Sequence, residues 1–255
     1  MEESLRRQYL EAMGIDNWVV RDPVPAAVTE IVETAASSEP SVAQELPSSQ
    51  VVVAAEQSDQ GLTPDLDARN DVVELDWEAL KSRVVGCQAC SLHQTRTQTV
   101  FGVGNQSADL MIIGEAPGAD EDRQGEPFVG RAGLLLNAML KAIGLDRGQV
   151  FIANILKCRP PGNRDPHVDE ANCCEPFLLR QIELVRPKVI LAVGRIAAQN
   201  LLKSDAAVGS LRNREHRIGE SRIPVVVTYH PAYLLRSPDQ KGKAWQDLLQ
   251  ARRLL

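Results

Sequence analysis

A length of 255 residues suits one domain with an appendage or two small domains, and no apolar run reaches the ~20 residues that span a bilayer. The start, Met1-Glu2-Glu3-Ser4, lacks the basic flank and apolar core of a secretory signal, so a cytoplasmic protein (bacterial cytosol or nucleoid) with reduced thiols is expected, which disfavours disulfides. The net charge of −6 is uneven: residues 1–76 hold four Lys/Arg against sixteen Asp/Glu (−12) and residues 77–255 hold twenty-four against eighteen (+6), so a basic globular part can approach nucleic acid.

Leu5, Tyr9, Leu10 and Met13 recur at helical spacing, with Gly14 as a stop ahead of Trp18. Residues 1–25 therefore read as a short docking helix, or else as a frayed helix without a partner. Residues 26–75 read as a disordered, acidic, low-complexity linker. Over 26–70 Ala, Val, Ser, Glu, Gln and Pro dominate and no aromatic residue occurs, so too little apolar surface can be buried to offset chain entropy.

Residues 76–255 have the texture of a folded domain. Trp77 to Val85 reads as a helix entering the pair Cys87-x-x-Cys90. Asp109–Gly114 is a short apolar run typical of a strand buried on both faces. A helix is expected at 133–143, with Leu134, Leu135, Met139 and Leu140 on its apolar side. Further strands are expected at 150–156, 188–194 and 223–230, a helix near Arg195, and a closing helix at 243–255. Strands alternating with helices predict an α/β fold, a three-layer α/β/α domain around a central, mostly parallel four-stranded sheet.

Reactive-looking residues fall at the strand ends: Glu115 after the first, Asn154 near the end of the second, His230 at the end of the fourth. In open α/β sheets ligands bind outside the carboxyl ends of the strands, so these residues are expected to share a pocket. Glu115-Ala116-Pro117-Gly118-Ala119-Asp120-Glu121-Asp122 is a turn loaded with carboxylates, suited to holding a water or simply to solvation. A triphosphate site is disfavoured, because neither GxGxxG nor Gly-Lys-Ser/Thr occurs. Phe128, beside glycines and an arginine, is either core or a platform for stacking a base. A buried Asn154 needs partners for its amide, from a substrate edge or from local backbone. His230 before Pro231 reads as structural or catalytic, its strand-end position favouring the second.

Five cysteines in a reducing compartment read as metal ligands with one to spare, and the spare lies in the doublet Cys173-Cys174. Four thiolates suit a structural zinc or an iron–sulfur cluster, while small buried thiols are the bland alternative.

Taken in order, Cys87-x-x-Cys90, Gly114-Glu115-Ala116-Pro117-Gly118, Pro127-Phe128-Val129-Gly130-Arg131-Ala132-Gly133, Asn154-x-x-Lys157-Cys158-Arg159-Pro160-Pro161-Gly162-Asn163-Arg164 and His230-Pro231-Ala232-Tyr233-Leu234-Leu235-Arg236 closely resemble the family 4, iron–sulfur uracil-DNA glycosylases. The resemblance covers about residues 77–253 and leaves the N-terminal extension unexplained. It implies a monofunctional enzyme that flips uracil out of single- or double-stranded DNA, hydrolyses the N-glycosidic bond and leaves an abasic site. By the same resemblance Phe128 stacks on uracil, the Asn154 amide pairs with N3–H and O4, and His230 bonds O2 as charge builds on the leaving base. Glu115 and Glu121 would position the attacking water and stabilise the sugar cation. Leu234, Leu235 and Arg236 would enter the duplex where uracil left, and Lys157, Arg159, Arg164 and Arg236 are candidate phosphate contacts.

The resemblance further assigns Cys87, Cys90, Cys158 and Cys174 to a [4Fe–4S] cluster that braces the loops, with zinc as the alternative. A related branch that bonds covalently to DNA through an inserted basic loop is disfavoured, because 129–133 runs straight into the expected helix. A monomer is expected, with a protein partner for the extension as a further expectation. Rival readings are a DNA-binding module that kept fold and cluster but lost catalysis, and a ferredoxin-like electron carrier.

Overall fold

The computed structural model describes residues 3–14 and 72–255. All of these belong to one of two units, Met1–Asn17 with Pro64–Leu255; Trp18 and the expected linker up to residue 71 lie outside the described residues. In chain order the elements are α1 (Glu3–Ala12), α2 (Trp77–Val85), β1 (Val103–Gly104), β2 (Leu110–Gly114), α3 (Ala119–Gln124), α4 (Arg131–Ala142), β3 (Phe151–Asn154), α5 (Val168–Val185), β4 (Val189–Val193), α6 (Arg195–Leu202), α7 (Val208–Leu211), β5 (His216–Ile218), β6 (Ile223–Thr228), α8 (Pro231–Arg236) and α9 (Lys241–Arg253). None of the described helices is long and apolar enough to cross a membrane.

The strands form one sheet in the order β1-β3-β2-β4-β6-β5. Neighbours among β3, β2, β4 and β6 pair in parallel, and these are the four strands expected from sequence. The two edge strands, β1 and β5, are additions that pair antiparallel, making six strands instead of four. With two and three residues they are too short to show an alternating pattern.

Apolar side chains alternate between two cores. On β2, Leu110 and Ile112 join the core shared with α4 and α9, whereas Met111 and Ile113 join the core shared with α5 and α6. On β4, Val189, Leu191 and Val193 face the first core, and Ile190 and Ala192 the second. A strand with period-two geometry and helices on both faces has no solvated side, hence its unbroken apolar sequence.

Three features departed from the expected pattern. Helix α5 spans 18 residues despite Pro176 in its interior, which removes one ladder hydrogen bond. Its start is held by Glu170, whose carboxylate accepts the His167 N–H at 2.9 Å. Val72 and Leu75, placed by sequence in the linker, pack in a satellite cluster with Leu80, Val84, Phe101 and Phe177. Finally, α1 packs on α4 of its own domain: Met13 is fully buried, Tyr9 lies against the same core, and the Lys141 ammonium sits 5.6 Å from the Tyr9 ring centroid.

Candidate active site and metal centre

Parallel pairing sets the carboxyl ends of the central strands side by side. Gly114 at the end of β2 is in register with Asn154 at the end of β3, and Val193 on β4 with Thr228 on β6. The loops leaving these ends enclose a cleft of about 730 Å³, lined among others by Glu115, Gly118, Glu121, Phe128, Asn154, Arg164, Arg195, Tyr229, His230, Tyr233 and Arg236. The three strand ends singled out by sequence do share one pocket.

Asn154 is 2% exposed, yet its side-chain Oδ1 has no hydrogen-bond partner among the described residues. A buried acceptor left unsatisfied costs about 1–3 kcal/mol, and a cleft-lining amide in that state is built for a donor from outside. The Phe128 ring lies against the same spot. A Cβ on Gly114 would stand 2.5 Å from Asn154 Oδ1 and 2.7 Å from Phe128 Cζ, so only glycine leaves room at that strand end. Phe128 itself adopts φ 53°, a left-handed conformation that costs a non-glycine residue on the order of 1–3 kcal/mol. Its neighbours hold it there. A Cβ on Gly133 would fall 1.8 Å from the Phe128 carbonyl oxygen, and Arg147 Nη2 donates to the Pro127 carbonyl at 2.5 Å.

The two acids named from sequence occupy different settings. Glu121 accepts three backbone N–H groups: Gly118 at 3.1 Å, Val129 at 2.9 Å and Gly130 at 3.2 Å. It thereby ties the turn before α3 to the loop that carries Phe128. Glu115 is half-buried and its carboxylate makes no hydrogen bond among the described residues. Burial pushes its pKa up, the Asp165 charge adds to this, and Arg195 opposes both.

His230 caps α8, its Nδ1 accepting the Ala232 N–H at 3.1 Å. That bond fixes the neutral tautomer with the proton on Nε2. Burial first, then the nearby Arg236 charge, lowers the histidine pKa to about 4, with Glu121 opposing. The ring stacks with Phe128 at 5.6 Å between centroids. Gly194, with φ 95°, makes room for it: a Cβ there would stand 3.0 Å from His230 Cβ.

At the rim the candidate DNA contacts separate. Leu234 does not reach the surface: it is fully buried in the core with α4 and α9, whereas Leu235 is 42% exposed. Arg236 is exposed and lines the cleft. Arg164 also lines it, but its guanidinium grips Glu170 through both Nη atoms at 2.8 and 2.6 Å. Lys157 is 1% exposed and cannot touch a phosphate from that position. Arg159 donates from Nε to Asn163 Oδ1 at 2.7 Å. Tyr229, Tyr233 and Arg195 line the cleft without having been singled out from sequence. Arg195 begins α6 just beyond β4, so the strand-end rule, applied to the third strand, points to it.

On the side of the sheet where α5 packs, Cys87, Cys90, Cys158, Cys173 and Cys174 line one small cavity together with His93, Arg96 and Lys157. Among the described residues, no three His, Cys, Asp or Glu side chains are set to hold a single ion. Burial raises the Cys174 thiol to about 12 and the Cys90 thiol to about 11, with neighbouring thiols adding to both. Sulfur acceptors are met by fixed donors: the Lys157 backbone N–H reaches Cys174, Leu92 N–H reaches Cys90, and Arg96 Nη1 reaches Cys158 Sγ at 3.1 Å. Cys173 is partly exposed and its thiol donates to the Ala89 carbonyl at 3.3 Å.

Comparison with known proteins places these residues in context. The family model described as "Uracil DNA glycosylase superfamily" matches residues 101–249. A type-4 uracil-DNA glycosylase of Archaeoglobus fulgidus is 45% identical over 170 residues, covering 64% of this chain and 85% of that protein. One from Sulfurisphaera tokodaii is 42% identical, covering 69% and 84%, and one from Thermotoga maritima is 43% identical, covering 63% and 83%.

Proposed function

The chain belongs to the uracil DNA glycosylase superfamily, with type-4 enzymes as its relatives, and from that premise we propose how its cleft removes uracil from DNA. The activity is that of a DNA N-glycosylase: hydrolysis of the bond between uracil N1 and the deoxyribose C1′, leaving an abasic site.

Uracil cannot be reached inside a duplex, so it enters the cleft flipped out of the stack. Phe128 supplies the face against which the ring stacks. Asn154 reads its pairing edge, Oδ1 accepting from N3–H and the amide N–H donating to O4. The partnerless Oδ1 is the observation that carries this reading. Cytosine presents the opposite order of donor and acceptor at that edge and would leave the same oxygen facing another acceptor, so it is rejected.

As the N1–C1′ bond breaks, its electron pair moves onto the uracil ring and negative charge develops at O2. The neutral His230, with Nδ1 occupied by Ala232 N–H, offers Nε2–H to that oxygen. Glu115, half-buried and without a hydrogen bond of its own, is the acid available to orient a water at C1′ and take its proton. Glu121 acts mainly through its three backbone bonds, keeping Phe128 and the acidic turn in register. Leu235 and Arg236 face the DNA, the first as the apolar wedge and the second towards phosphate.

Cys87, Cys90, Cys158 and Cys174 would hold a [4Fe–4S] cluster. Thiols arranged around a cavity, rather than on a point, suit a polynuclear group better than zinc, and N–H donors on three of the four sulfurs fit its charge. Cys174 is favoured over Cys173 because it is buried and receives the Lys157 N–H. When bound, the cluster supplies an anionic cross-link between three segments of chain, and the excision itself requires no electron transfer.

The test is incubation of the purified protein with labelled DNA carrying one uracil, followed by alkali. Cleavage at uracil and not at a thymine control is expected. An intact, iron-containing protein that binds DNA without cleaving it would replace this reading by a non-catalytic DNA-binding module.

A further inference from the structure

Lys157 stands between the cysteine cavity and the base-reading strand end, in contact with both. Its ammonium donates to the Asn154 backbone carbonyl at 2.8 Å and to Gln181 Oε1 at 2.7 Å. Gln181 is itself fully buried and fixed by a bond from Nε2 to the Phe101 carbonyl at 2.8 Å. Fully buried lysines are normally paired with acids, and no carboxylate pairs with this one among the described residues. Ligated to a cluster, the cysteines would supply the anionic side: Lys157 lines their cavity, precedes Cys158 and hands its own N–H to Cys174.

We propose that Lys157 is a positioning residue for base recognition, held by the negative charge of the ligated cysteines and in turn holding the turn 154–157 in the shape that aims Asn154 at uracil. This rests on the reading of Asn154 and the cysteines given above. The turn is short and tied at several points. Ile155 N–H donates to the Gly114 carbonyl and Leu156 N–H to the Glu115 carbonyl, both at 3.0 Å, and the Lys157 carbonyl accepts from Val100 at 2.8 Å. The ammonium closes the turn on Asn154 itself. One cation therefore fixes the backbone from which the amide projects, and the same turn is bonded to the backbone of Glu115. A geometric error at Asn154 is expected to weaken uracil contacts while leaving general DNA contacts intact, because Arg236 and Leu235 lie on helix α8.

The measurement compares wild type with Lys157→Met, which keeps length and apolar volume but removes charge and donors. Iron and sulfide content, uracil release, inhibition by free uracil and affinity for uracil-free duplex are read on the same preparations. With the cluster retained, a 10- to 100-fold fall in kcat/KM and a comparable weakening of free-uracil inhibition are expected, with duplex affinity unchanged. A lower cluster reduction potential is also expected, since a neighbouring positive charge is gone, and a purely structural role would not move it in step with uracil binding. Wild-type kcat/KM and uracil inhibition in cluster-loaded Lys157→Met would overturn the proposal. Should Lys157→Met fail to retain the cluster, Gln181→Leu decides. It removes the second anchor of the ammonium, and a several-fold weakening of uracil inhibition is expected, whereas none would overturn the idea. Absence of uracil release from cluster-loaded wild type is a different failure, that of the glycosylase reading itself.

Discussion

Replacing Asn154 by alanine separates function from stability. Among the described residues the amide oxygen is already without a partner, so its removal relieves about 1–3 kcal/mol of unsatisfied burial. That relief offsets the packing lost at the edge of an open cleft, and the unfolding free energy is expected to stay within about 1 kcal/mol of wild type. Catalysis responds differently. Two hydrogen bonds to the uracil edge, at about 1–1.5 kcal/mol each, disappear, and the edge is left buried without partners at a further cost of about 1–3 kcal/mol. At 1.36 kcal/mol per decade, the sum predicts a fall in kcat/KM of about 10²–10⁴-fold. Single-turnover release of uracil from labelled DNA, beside urea denaturation of the same protein, measures both. Activity within threefold of wild type, or a stability loss above about 3 kcal/mol, would show that Asn154 serves the core and not the base.

His230→Ala removes the Nε2–H donor and is expected to cost about 10²–10³-fold in the rate of bond cleavage, measured at saturating enzyme. The acid limb of the pH–rate profile belongs to Glu115: its pKa is raised, activity needs the ionised form, and the limb therefore lies above the ordinary carboxylate range and vanishes with Glu115→Gln. No histidine inflexion near 6.5 is expected, because His230 at about 4 is already neutral; its contribution to stability is complete above pH 6.5 and is lost as pH falls towards 4, which urea titrations of wild type and His230→Ala compare. Leu234→Ala should destabilise the fold by about 2–5 kcal/mol, whereas Leu235→Ala should leave stability nearly unchanged and slow excision from duplex more than from single strands. Reconstituting iron and sulfide into metal-free protein should release protons and run faster at higher pH, since Cys90 and Cys174 are protonated at neutrality, as a pH indicator in weak buffer can follow.

The central sheet was legible because strands covered on both faces are written as unbroken apolar runs, and their carboxyl ends then locate Glu115, Asn154 and His230 without any contact information. Helix α5 was not, because Pro176 and the Cys173-Cys174 doublet mask its apolar stripe, while tertiary packing of Phe177, Leu178 and Ile182 outweighs the missing bond. Tyr233, Leu234 and Leu235 carry no period that says which of them turns inward; only the short helix α8, begun by Pro231, decides it. Lys157 misled for a general reason. A lysine is assumed solvated unless a partner for its ammonium is visible, and here the partners are the Asn154 carbonyl and Gln181 Oε1, the latter 24 residues away in the sequence. Glu121 is the converse case, an acid whose neighbours in sequence suggest chemistry but whose oxygens are taken by backbone.

The docking of α1 bears on how the chain responds to cleavage. Met13 and Val72 are both fully buried and belong to the same unit. Covalent continuity between those points keeps α1 at a high effective concentration beside α4. One cut anywhere in residues 15–71 would convert that attachment into a bimolecular one. A ten-residue helix is marginal on its own in water, so dilution would release and unfold it, uncovering the apolar face on which Met13 and Tyr9 rest. A protease that never touches the catalytic domain would thereby change its surface.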